Sequence, residues 1–239
     1  MKKTPNEMSF LEHLGDFRKR IIHAIFFLLI FFLISWHFRE EIYNWLSLPI
    51  LQYLDDKLIY TSLTEPIMMY IKMSFISALF LGSPFIFYQL WLFISPGLYA
   101  KEKKYVLPFI IMATLFFFLG GSFAYYVVFP MYCKFLLGFG QDFQQLIKIK
   151  EYFSLILTVL LGLALMFELP VMVFLLSKLG LVTSKFLIKY FKYAVVLIFV
   201  IAAILTPTPD IVNQSIFAIP TILLYLLSIG IARISGKKG

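Results

Sequence analysis

Cysteine is nearly absent. Cys133 stands alone among 239 residues, which excludes a disulfide within the chain and leaves no Cys cluster to hold zinc. Charge is scarce too: Asp, Glu, Lys and Arg make up 14%, against about 25% in a soluble globular domain. Histidine is limited to His13, His23 and His37. They are separated along the first segment and read as interfacial or packing residues, not ligands. The sequence has no G-x-x-x-x-G-K-[ST] loop to cradle phosphates and no H-E-x-x-H pair, and no nucleophile–base pair stands out. Catalysis therefore has little support, and neither metal nor cofactor is expected. Long polar stretches are also missing, so no separate soluble domain is expected, and there are no repeats.

What fills the chain instead is apolar. Hydrophobic residues reach 61%, with a mean hydropathy of +0.90, against about 45–50% apolar in soluble domains. The runs are long and continuous instead of alternating every second residue. This indicates an all-α integral membrane protein and not a barrel. Six runs reach or approach the roughly 20 residues a bilayer requires: 21–38, 67–94, 106–129, 152–176, 193–205 and 211–231. The second holds Gly82-Ser83-Pro84, which predicts a kink. Its Ser74, Ala78 and Gly82 form a small-residue stripe where another helix can approach. The fifth run is short. The sixth opens on Asn213, Gln214 and Ser215 and is interrupted by Pro220, so it too is expected to be short.

Residues 1–20 precede the first run. Ser9-Phe10-Leu11-Glu12 fits a capping box. Phe10, Leu14, Phe17 and Ile21 fall on one side of the helix it starts, with Glu12, Asp16, Lys19 and Arg20 on the others. Such an amphipathic helix is expected to lie in the interface before turning into the bilayer. It does not read as a cleavable signal, because the apolar run behind it is too long. Between the first two runs, Ile42, Trp45, Leu46, Leu48 and Ile50 suggest a surface helix. The segment after the third run resembles it, with a break at Gly138-Phe139-Gly140.

Lys and Arg are divided unevenly. One set of connections carries fifteen of them: Lys2, Lys3, Arg18–Arg20, Lys101, Lys103, Lys104, Lys178, Lys185, Lys189, Lys192, Arg233, Lys237 and Lys238. The other set carries five. The positive-inside rule places the first set, and with it both termini, in the cytoplasm. This accounts for most of the net charge of +8 without nucleic acid.

A few polar residues depart from the pattern. In Tyr88-Gln89-Leu90-Trp91 an apolar helix reaches an aromatic belt, turns at Ser95-Pro96-Gly97, and ends in Lys101-Glu102-Lys103-Lys104. Glu102, a lone acid among lysines, is a solvated ion-pair partner or a receptor for a cation, and residue chemistry alone favours the first. Asp16 can pair locally with Arg20 four residues on, or act with Glu102 to receive arginines. Glu12 is a third candidate, already explained by capping. Glu168 lies deep in the fourth run. A carboxylate there costs several kcal/mol unless it faces protein or a water cavity. It reads as a proton or ion relay or a docking point for another helix, over a neutral Glu bonded to the carbonyl freed by Pro170. Asp210, with Gln214, sits at the start of the sixth run, where an N-cap explains most of it.

These residues are similar to a known family. His13-Leu14-Gly15-Asp16-Phe17-Arg18-Lys19-Arg20, Tyr88 to Glu102, Phe167-Glu168-Leu169-Pro170, and Leu205-Thr206-Pro207-Thr208-Pro209-Asp210 with Gln214 together resemble TatC, the multispanning receptor of the twin-arginine protein translocase. Asp16 stands where the family usually has Glu, and the hairpin is one residue longer than the Thr-Pro-Pro-Asp of some members. The resemblance implies six helices in a curved, glove-like arrangement with the last two short. It implies a cytoplasmic-face site for the twin-arginine signal of folded cargo, with Asp16 and Glu102 as receptor acids. Glu168 is implied as the intramembrane contact for single-span TatA- or TatB-type partners, with Asp210 and Gln214 at the outer end of the partner-binding helix pair. It further implies a prokaryotic inner membrane, an oligomeric working complex, and transport driven by the proton-motive force. The alternative is a proton- or ion-coupled small-molecule transporter using Glu168. The inverted pairs of broken helices expected of one are not seen in the sequence.

Overall fold

The computed structural model describes residues 10–54, 58–94, 106–140, 144–206 and 210–235. Ten α-helices are described: α1 (Phe10–His37), α2 (Arg39–Leu51), α3 (Glu65–Ile94), α4 (Val106–Phe123), α5 (Phe129–Gly138), α6 (Ile149–Met166), α7 (Leu169–Lys178), α8 (Ser184–Lys189), α9 (Phe191–Leu205) and α10 (Ile211–Ser235). A π-helical turn, Ala124–Val128, joins α4 to α5. No strand occurs among the described residues. A single backbone bridge ties the α2–α3 and α5–α6 connections together, with Ile59 N donating to Ile147 O and Ile149 N to Ile59 O. Among the described residues five spans are long and apolar enough to cross a membrane, and α9 is a shorter apolar helix.

α1 differs from expectation. It runs from Phe10 to His37 without a break, so the amphipathic segment and the first apolar run are one helix with no turn between them. The reason is a ladder of rings down α3. Phe17 meets Phe93 at 5.0 Å, Phe27 stacks on Phe85 at 4.7 Å, and Phe31 reaches Phe85 at 5.6 Å. Gly82 lets Phe31 come close, since a Cβ there would stand 3.2 Å from its ring. Ser74, Ala78 and Gly82 are all buried, in keeping with the small-residue stripe. Ser9, the expected cap, lies outside the described residues.

Prolines shape the other helices through the carbonyl each one frees four residues earlier. Where a span or packed helices shut out water, the protein must supply that carbonyl with a donor. Pro49 frees Trp45 O, which accepts from Tyr125 Oη, 80 residues away in sequence. Next to it, Leu46 O accepts from Tyr152 Oη at 2.7 Å. Pro84 frees Phe80 O, and Ser83 Oγ fills the place at 2.8 Å, so α3 runs through the proline as one helix. Pro130 follows directly on the π-helical turn, whose wider ring accommodates it. Pro170 instead ends α6 at Met166 and restarts the chain as α7 at Leu169. Pro220 lies inside α10 without ending it. α10 is 25 residues long, longer than its polar start and Pro220 suggest. α9, at 15 residues, spans only about 22 Å of a hydrocarbon core about 30 Å thick.

The tyrosine bond gives a direct test. Tyr125→Phe removes the only donor described for Trp45 O and leaves a part-buried acceptor unpaired, which costs about 1 kcal/mol, the low end for an unpaired group. Thermal unfolding in detergent should show a drop of that size. Tyr126→Phe should change little, because that side chain is 66% exposed.

The two ends of the bundle are now distinct. One holds the start of α1, the end of α3, the start of α4 and the end of α7. There Trp91 packs with Phe109, Val171 and Leu175. This is the basic end. The opposite end holds α2, α5, the bridged loops and the start of α10, around Leu46, Tyr125, Phe129, Tyr132 and Tyr152.

Candidate functional site

Glu168 occupies the break between α6 and α7. Phe167 N still bonds to Leu163 O in the helical pattern. Glu168 N tightens to Leu165 O at 3.1 Å, and Glu168 O then accepts from Met172 N to begin α7. Pro170 dictates this, because it cannot continue the ladder. The side chain is only 9% exposed, and Oε1 is buried with no hydrogen-bond partner. A carboxyl oxygen in that position costs free energy unless something outside the chain uses it. The neighbouring helix closes in at the same level. A Cβ on Gly120 of α4 would stand 2.8 Å from Ala164 Cα, Leu163 O and Phe167 Cβ, and Phe123 meets the Phe167 ring at 5.6 Å.

At the basic end, Asp16 lies one turn into α1 and is half-buried. The local pair with Arg20 does not form: among the described residues Asp16 makes no ion pair, and Arg20 Nε is buried with no partner. Its neighbour Phe17 packs on Phe93, so Asp16 stands beside the root of the chain segment that carries Glu102. Glu102 itself lies outside the described residues, and of Glu12 only the backbone is described, in the first turn of α1.

Asp210 is the N-cap of α10. Its Oδ1 accepts from Asn213 N at 2.8 Å, its Oδ2 from Asn213 Nδ2 at 2.7 Å, and its carbonyl from Gln214 N at 3.1 Å. Gln214 is half-buried beside it. Asn213 is fully buried, and its carbonyl accepts from Tyr132 Oη at 3.1 Å, which ties α10 to α5. Residues 207–209 of the hairpin lie outside the described residues. Sequence reasoning missed the parts played by Asn213, Tyr132 and Gly120. Asp-x-x-Asn at a helix start is the signal for the first, and the Gly120-Gly121 pair in mid-run for the last. Nothing in the sequence points to Tyr132.

The candidates thus occupy three levels: Asp16 at the basic end, Asp210 and Gln214 at the opposite end, and Glu168 in the α6–α7 break between. No hydrogen bond or ion pair among described residues joins one level to another. No group of three or more His, Cys, Asp or Glu that could hold a metal occurs among the described residues.

A family model described as Sec-independent protein translocase protein (TatC) matches residues 12–220. Sec-independent protein translocase protein TatC of Koribacter versatilis is 48% identical over 230 residues, 94% of this chain and 85% of that protein. The TatC proteins of Desulforapulum autotrophicum and Helicobacter pylori are 39% and 43% identical, covering 100% and 92% of this chain and 89% and 87% of their own. The crystal structure of a twin-arginine translocase receptor, TatC, superposes with a TM-score of 0.85 at 37% identity, covering 94% of this chain and 99% of its own. A small-molecule transporter does not fit these relationships. The chain belongs to the TatC family of Sec-independent protein translocase proteins.

Proposed function

We propose that this chain is the signal receptor and scaffold of a twin-arginine translocase in a prokaryotic inner membrane, with the basic end and both termini cytoplasmic. It binds the twin-arginine signal of folded cargo at that end. Asp16 and Glu102 each receive one guanidinium, with Glu12 as a third candidate acid. The Phe17–Phe93 contact carries this reading, since it holds the turn of α1 bearing Asp16 against the root of the Glu102 segment. The absence of an ion pair to Asp16 among the described residues leaves its carboxylate available. Glu168, and Asp210 with Gln214, are where single-span TatA- or TatB-type subunits dock, in an oligomeric complex driven by the proton-motive force. The orphaned Oε1 of Glu168 supports this: it is a buried polar group with no partner among the described residues.

The test is binding of a twin-arginine signal peptide to the detergent-purified chain, with a twin-lysine peptide as control. A bidentate Arg–carboxylate pair contributes about 1.5–3 kcal/mol, so Asp16→Ala and Glu102→Ala should each weaken binding roughly 10- to 150-fold. Lysine lacks the planar fork and should bind the wild type at the level of the variants. Equal affinity for the two peptides would refute the receptor geometry.

A further inference from the structure

The connection from α7 to α9 carries Lys178, Lys185, Lys189 and Lys192 within fifteen residues, and no acid lies between Glu168 and Asp210. From residue 179 to 197 a single side chain is buried, Leu187 at 6% exposure. Its carbonyl accepts from Tyr225 Oη of α10 at 3.0 Å, which pins α8 to the bundle. Around that anchor the apolar side chains face outward: Leu181 is 70% exposed, Ile188 60% and Tyr193 60%, and Phe186 is exposed as well. The cations lie on the same surface. Lys178 Nζ sits over Phe174 at 5.8 Å, Lys189 Nζ over Tyr190 at 5.6 Å and Lys192 Nζ over Tyr193 at 5.0 Å, so their stems follow apolar surface while the ammonium groups stay at its rim.

This pattern is costly in open water and favourable at one place. α7 ends at Lys178 and α9 begins at Phe191, and both are apolar helices of the bundle. The segment therefore leaves and re-enters at the edge of the hydrocarbon. A surface lying there buries its exposed Leu, Ile and Phe in the acyl boundary and sets its ammonium groups at the level of the phosphates. An acidic soluble partner would match the charge but would leave those apolar side chains unexplained.

We propose that residues 178–193 form a docking surface for anionic phospholipids, independent of signal binding. Lys185, Lys189 and Lys192 meet the headgroups, and Leu181, Phe186 and Ile188 enter the leaflet beneath them. Leu187, held by Tyr225, fixes the depth at which this end of the molecule sits.

The experiment is native mass spectrometry of the full chain released from nanodiscs of phosphatidylcholine mixed with phosphatidylglycerol, counting each lipid retained. Lys185→Gln/Lys189→Gln/Lys192→Gln should lose phosphatidylglycerol retention roughly tenfold or more, as expected for three cations near an anionic surface, and keep phosphatidylcholine retention. The equally charged control Lys134→Gln/Lys148→Gln/Lys150→Gln should retain phosphatidylglycerol as wild type does. Leu181→Ser/Ile188→Ser, with every lysine in place, should lose part of it. Unfolding temperatures in pure phosphatidylcholine identify any variant that has lost its fold, and Leu181→Ser/Ile188→Ser alone then still decides. Equal loss in both lysine triples would mean diffuse charge attraction and overturn the proposal. So would full retention in the Leu181→Ser/Ile188→Ser variant, which would fit an acidic soluble partner instead.

Discussion

Replacing Glu168 by Ala is expected to leave twin-arginine peptide binding nearly unchanged and to lower transport of folded cargo at least roughly tenfold, the equivalent of losing one hydrogen bond to a charged group. Oε1 is buried with no partner among the described residues, and Asp16, the described one of the two proposed receptor acids, lies at the basic end, away from the α6–α7 break. Removing the carboxyl therefore breaks no hydrogen bond described within the chain. Glu168→Leu should unfold in detergent at the same temperature as wild type or higher, because an unsatisfied polar group has been deleted from a buried position. Glu168→Gln separates two roles. Transport retained in Gln and lost in Ala marks a polar docking contact, whereas loss in both marks a need for ionisation. Equal loss of binding and transport in Glu168→Ala would end this division of labour, and a large fall in stability would mean that the carboxyl is structural after all.

Gly120→Leu should be the most destabilising single change in the membrane core. A Cβ alone would lie 2.8 Å from Ala164 Cα and Leu163 O, and these backbone atoms cannot swing aside as a side chain can. α4 and α6 would have to separate, opening the interface that also positions Phe167 and hence Glu168. Overpacking of this kind costs typically about 1–3 kcal/mol. Gly120→Ala should fall in that range, and Gly120→Leu above it. Gly230→Ala is the control: nothing lies within 4 Å of its Cβ position in α10, so it should be neutral or stabilise by up to about 1 kcal/mol through helix propensity. Gly120→Ala should reduce transport as well, because the turn bearing Glu168 moves with α6. Stability and transport both unchanged would show that the two helices have slack at this crossing.

Much of the architecture was legible because the bilayer enforces simple rules. Length and apolarity alone mark the spans, and the Lys and Arg distribution marks the ends. The helical piece at Arg39–Leu51 and the stop at Gly138 follow from local pattern. Asp210 is a cap, as its place before an apolar run implies. Elsewhere local signals pointed the wrong way. The charges among residues 12–20 suggested a separate surface helix, yet α1 continues through them because its rings have Phe85 and Phe93 to pack on. Pro220 suggested a short last helix, yet α10 runs 25 residues, for a single missing donor does not outweigh the ladder on either side. Asp16 and Arg20 have the spacing of an ion pair and do not make one.

By itself the sequence determined which segments are apolar enough to cross a membrane, which end is basic, and which few polar residues stand out, since each of these depends on the residue and its near neighbours in the chain. Only the tertiary structure decided which of those polar groups are already satisfied. Trp45 O and Leu46 O are met by tyrosines 80 and 106 residues away, and Asn213 O by a tyrosine 81 residues away. Glu168 Oε1 is met by none. Such pairing depends on which helices lie side by side, and that is set by small local features such as Gly120 and the ring ladder of α1, whose effect appears only once the helices have packed.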